Sequence, residues 1–134
     1  MTHYTQYLKH HVDLLEAFYQ SAQQAAPFSQ IELHDEDTDA FITTLKQLCE
    51  MSEYNDDISE KGQWLTGRVV SAYSHLMPLL SRDLLWFFGG NCLHYMPDEE
   101  INFYQQLDEL RFSAEDAGHD FDYAAAKQGL AKAH

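Results

Sequence analysis

Basic residues are scarce in this chain. Eight Lys and Arg stand against 22 Asp and Glu, leaving a net charge of −14. A field of that sign repels nucleic acid and anionic membrane surfaces, and it draws in cations or basic protein patches. Glycine and proline are almost as sparse, at 6 and 3 in 134 residues, too few for the turns of a many-stranded β fold. No apolar run approaches the roughly 20 residues needed to cross a bilayer; the longest, Leu84 to Phe88, is a fraction of that. The opening residues, Met1-Thr2-His3-Tyr4-Thr5-Gln6, lack the basic and apolar stretches of a secretory leader. Cys49 and Cys92 have no C-x-x-C spacing, which points away from a zinc site or a redox pair. These absences describe a reduced, cytoplasmic protein, of a length that suits one domain.

What the chain does have is apolar residues at helical spacing, in a composition that is 45% hydrophobic. Tyr4, Tyr7, Leu8, His11, Leu14, Leu15, Phe18, Tyr19 and Ala22 predict a first helix, capped by Thr2 or Thr5 and stopped by Pro27. A loop over residues 27–36 is expected to anchor itself to the core through Ile31 and Leu33. The second helix is expected over residues 37–52, with Asp37 or Thr38 as its cap. Phe41, Leu45, Leu48 and Cys49 form its inner stripe. A third begins at Ser59, buries Leu65, Val69, Ala72, Tyr73 and Leu76, and ends at Pro78. Ser81 caps a fourth, Pro97 and three following acids open a fifth that ends at Gly118, and a short alanine-rich sixth starts near Phe121.

The fourth segment carries Leu84-Leu85-Trp86-Phe87-Phe88-Gly89-Gly90 and is apolar on every side, so it belongs in the centre of the fold or at a subunit contact. Cys92, Leu93 and Tyr95 extend the apolar pattern past the diglycine, which favours a continuous helix over residues 81–96. The alternative is a helix ended early by a glycine cap. The expected fold is an all-α bundle of about six helices around that segment.

Catalytic and metal-binding patterns fail in turn. Asp35-Glu36-Asp37-Thr38-Asp39 imitates the start of a calcium loop, but the glycine and glutamate required later are Ala40 and Lys46. Glu115 and Asp116 stand at helical spacing from His119, yet no second such motif exists to complete a metal set. His10 and His11 are adjacent and expected to diverge. Cys92 lies in the most apolar stretch, where a thiol is inert. No metal, cofactor or catalytic residue is therefore expected.

Charge distribution is the remaining signal. Residues 32–60 hold ten acids against Lys46 alone, a net of −9. The leading expectation is a small interaction or regulatory protein that holds a basic partner through Glu32, Asp35, Glu36, Asp37, Asp39, Glu53, Asp56 and Asp57. The alternative is a ligand-binding module or enzyme whose pocket is walled by Trp86, Phe87, Phe88, Gly89 and Gly90. His94 and Tyr95 would be its polar handles. The same aromatic run admits a third use, as the interface of a homodimer.

Overall fold

The computed structural model describes residues 3–133, with side chains from residue 6 onward. Among these residues the chain is all-α, with six α-helices, three 3-10 segments and no strand. The helices gather into two compact units, one of residues 1–10 with 96–134 and the other of residues 11–95. Helix α1 (His3–Gln23) contributes its first turns to one unit and the rest to the other. Of its expected caps, Thr2 lies outside the described residues, and Thr5 is already inside the helix with its side chain outside the description.

The larger unit is built on buried stripes at three- and four-residue steps, the period that brings side chains to one helix face. On α1 the stripe is His11, Leu15, Phe18 and Ala22. On α2 (Glu36–Cys49) it is Thr38, Phe41, Leu45 and Leu48, and on α3 (Asp56–Ala72) it runs from Ile58 through Gly62 and Leu65 to Val69. Both helices start earlier than the sequence predicts, because the residue that caps each lies further upstream. Asp35 caps α2 and exchanges hydrogen bonds with Thr38, its Oδ1 accepting from the Thr38 N–H at 2.9 Å. Asn55 caps α3 by accepting from the Ile58 N–H at 2.9 Å. Helix α3 also ends early, at Ala72. Ser74–Leu79, with Pro78 inside, continues as a 3-10 segment that buries Leu76, while Ala72 itself is exposed.

The expected loop anchors are a correction. Ile31 is 83% exposed and Leu33 48%, because the chain turns there through a short 3-10 segment with no buried residue. Phe28 does the anchoring instead, its ring packing on Phe41 at 5.1 Å and Tyr73 at 5.0 Å between centroids.

The continuous fourth helix is a second correction. Helix α4 spans only Arg82–Phe88, and Gly90–Tyr95 follows as a 3-10 segment. Gly89 takes φ 66°, ψ −151° and Gly90 φ 51°, conformations open to glycine and costly to other residues, so the helix stops at the diglycine. The break is stabilised by long-range hydrogen bonds. The Phe88 carbonyl accepts from the hydroxyls of Tyr54 at 3.2 Å and Ser59 at 3.0 Å. Gln63 donates to Ser59 Oγ at 2.9 Å and accepts from the Asn91 N–H at 3.3 Å. The α4 carbonyl left without a helical partner is satisfied from α3 and its approach. Short as it is, α4 is the most buried helix of its unit, with Asp83, Leu84, Leu85, Phe87 and Phe88 all inside. Ser81 caps it as expected, through its Oγ.

The smaller unit holds α5 (Asp98–Asp116) and α6 (Tyr123–Ala133). Pro97 sits one position earlier than predicted, as the residue just outside α5. At the other end Gly118 has φ 71°, its N–H reaching the Glu115 carbonyl while the His119 N–H reaches that of Ala114 at 2.8 Å. This paired closure is a left-handed glycine stop, and it falls at the glycine expected to end the helix. Asp122 caps α6 by accepting from the Ala125 N–H. Tyr7, Leu8, Tyr104, Leu107 and Tyr123 are buried, and the Arg111 guanidinium lies 3.9 Å over the Tyr7 ring. Because Tyr104, Leu107 and Arg111 take the inner face of α5, Leu110 is rotated out and exposed. Among the described residues no helix is long and apolar enough to cross a membrane.

Candidate functional site

All eight acids expected to bind a partner are exposed: Glu32, Asp35, Glu36, Asp37, Asp39, Glu53, Asp56 and Asp57. They fall into two groups. Helices α2 and α3 form an antiparallel hairpin, since Arg68 near the end of α3 comes within 4.0 Å of Asp37 at the start of α2. Fourteen residues at 1.5 Å each make α2 about 21 Å long. Glu32, Asp35, Glu36, Asp37 and Asp39 therefore cluster at one end of the hairpin, and Glu53, Asp56 and Asp57 at the other. Two of the eight have an ion-pair partner among the described residues, Asp37 with Arg68 and Asp57 with Lys61 at 2.8 Å.

Acids at both ends stand in the first turns of α2 and α3, where the helix dipole favours negative charge. Asp35 shows the effect most directly. The Thr38 N–H holds its carboxyl below the ordinary value of 3.8 against an opposing desolvation, with the Thr38 hydroxyl, the Asp37 N–H and the charge of Arg68 adding smaller contributions in the same direction. A carboxyl with a depressed folded-state pKa stabilises the fold above its unfolded value, and that contribution is lost as pH falls through the folded value. Asp35→Ala is thus expected to lower the melting temperature clearly at about pH 7, and by progressively less as the pH falls below the ordinary carboxyl value and through the lowered folded-state value. A loss that stays constant as the pH falls would show that the Asp35 charge contributes nothing.

The aromatic candidates divide differently. Phe87 and Phe88 are buried, Phe87 against the edge of Tyr54 and stacked on the His11 imidazole with centroids 4.3 Å apart. Trp86 and Gly89 are half-buried, and Gly90, His94 and Tyr95 are exposed. The phenyl rings pack into the core while the expected polar handles face solvent. Sequence reasoning overlooked the pairing of His11 with Asp83. Both are buried, and their ligand-bearing atoms lie within 4.8 Å of each other, a spacing at which the two could ligate one cation. The signal was present, since His11 falls on the stripe that Leu15 and Phe18 continue. His10 packs on Tyr123, centroids 4.7 Å apart, and the expectation that it diverges from its neighbour His11 is not met, since their ring nitrogens come within 4.8 Å. Glu115, Asp116 and His119 are all exposed.

Cys49 and Cys92 are free thiols. Burial, reinforced by the nearby carboxylate of Glu16, pushes the Cys49 thiol up to about 12. Burial also raises Cys92, against an opposing hydrogen bond with Thr66. At pH 8 a thiol of that pKa is roughly one part in ten thousand thiolate, so Cys49 should alkylate with iodoacetamide about a thousandfold more slowly than an ordinary cysteine. Rapid single-site labelling of the folded protein at Cys49 would contradict this.

A family model described as PA2817-like matches residues 3–134 of the chain. No curated protein and no solved structure matches it.

Proposed function

We propose that this chain, which belongs to the PA2817-like family, is a small cytoplasmic interaction protein that holds a basic protein partner through the acids of residues 32–60. The observation that carries the reading is their exposure: eight acidic side chains face solvent, and six of them make no ion pair among the described residues. Uncompensated charge of one sign repels within the molecule and is relieved when a basic surface docks. Two free, buried or half-buried thiols favour a reducing compartment.

The test is direct. A fluorescently labelled oligolysine peptide of about 12 residues should bind the full chain at about 50 mM salt and be released at about 500 mM, as screening shortens the reach of the field. The variant Glu36→Lys, Asp39→Lys, Glu53→Lys, Asp56→Lys should bind it more weakly, with an unchanged helical spectrum. Peptide that does not bind at low salt, or binds the variant equally well, would overturn the reading.

A further inference from the structure

The two acidic ends of the α2–α3 hairpin are not equivalent. At the α2 end, Ile31 is 83% exposed and Leu33 48%, and five acids surround them in sequence: Glu32, Asp35, Glu36, Asp37 and Asp39. The α3 end offers Glu53, Asp56 and Asp57, where Tyr54 is turned inward against Phe87 and Ile58 is buried. An isolated exposed leucine is ordinary. An isoleucine and a leucine both left exposed two residues apart, with Glu32 between them and four more acids close behind, are not covered by the fold.

The segment that presents them is pinned from both sides. The Leu33 N–H donates to the Gln30 carbonyl at 3.0 Å and the His34 N–H to that of Ile31 at 3.1 Å. His34 Nε2 donates to the Phe28 carbonyl at 3.0 Å, and His75 Nε2 donates to that of Ala26 at 2.7 Å. Phe28 is buried between Phe41 and Tyr73, and the Asp35–Thr38 capping box fixes the far side. A ledge ordered in advance loses little conformational entropy when something docks on it.

Charge selects the occupant. Arg68 comes within 4.0 Å of Asp37 at the α2 end, but no Lys or Arg occurs in the chain between Lys9 and Lys46, so the five acids are left in excess. A second copy of this chain would bring another −14, and nucleic acid and anionic membranes are repelled in the same way. We infer that the Ile31–Leu33 ledge is the docking point, and that its partner is a basic amphipathic segment, with Lys or Arg meeting the five acids and apolar side chains covering Ile31 and Leu33. This rests on the reading that the protein holds a basic partner, and adds where the partner docks and that it must carry an apolar face.

Two labelled peptides of equal length and charge separate the ideas. One is a Lys–Leu amphipathic helix and the other replaces every Leu with Ser. At about 150 mM salt, where long-range attraction is screened, the Lys–Leu peptide should bind at least about tenfold more tightly than the Lys–Ser peptide. The double variant Ile31→Ser, Leu33→Ser should remove about tenfold of that affinity, the scale of one well-buried apolar anchor. Both residues are exposed, so the fold should be unaffected. Glu53→Lys with Asp56→Lys should change Lys–Leu binding by less than about twofold at this ionic strength. Equal binding of both peptides, or no effect of the double variant, would overturn the ledge and leave the general acidic reading standing. If neither peptide binds even at low salt, that general reading fails as well. Light scattering that shows a dimer dissociated by the double variant would assign the ledge to a second copy and overturn the basic partner.

Discussion

Phe88→Ala is expected to destabilise the protein by about 3–5 kcal/mol, the cost of emptying a large aromatic site in a core that cannot fully collapse. For a domain of this size that is a fall in melting temperature of about 10–20 °C, a large part of the total stability. The reason is local. Phe88 is 2% exposed and ends the helix whose side chains fill the centre of the larger unit. Its ring lies against Phe87 and over Gly62, and its carbonyl receives the Tyr54 and Ser59 hydroxyls. Those two hydrogen bonds survive the substitution, so the loss reports packing. Trp86→Ala should cost less, because Trp86 is only half-buried. A Phe88→Ala protein that melts within a few degrees of the parent would mean that α4 is not the core.

Gly62→Ala should be the second large effect, and the more specific one. Alanine normally stabilises a helix by up to about 1 kcal/mol over glycine. Here a Cβ would run into the Phe88 ring, with several ring atoms closer than any real contact. Overpacking of this kind costs typically about 1–3 kcal/mol, and the upper end is expected because the ring is enclosed. Gly67, on the same helix, has open space where its Cβ would go. Gly67→Ala should therefore stabilise by up to about 1 kcal/mol, opposite in sign to Gly62→Ala. Because the clash is with one ring, Gly62→Ala should cost little in a Phe88→Ala background, which a double-mutant cycle by chemical denaturation would read as strong coupling. Additive losses would break the proposed contact.

The same residues show how far the sequence could be read. The stripes Leu15–Phe18–Ala22, Phe41–Leu45–Leu48 and Leu65–Val69 are buried as their spacing predicts, because helical period is a local property that any helix displays. Ser81, Pro97 and Gly118 mark helix ends within one position of where they were expected, since capping is also local chemistry. All-α class and the apolar weight of residues 84–88 follow from the same rules. The misses share a different cause. Whether Gly89 and Gly90 interrupt α4 depends on Tyr54, Ser59 and Gln63, which lie far back in the chain and supply hydrogen bonds that no local pattern encodes. Ile31 and Leu33 look like anchors until Phe28 takes the space between Phe41 and Tyr73. Net acidity and its concentration in residues 32–60 were fixed by composition alone. Its division between two ends of a hairpin about 21 Å long, one end carrying exposed apolar side chains, was decided by tertiary structure, because only the antiparallel return of α3 onto α2 sets which acids share a surface.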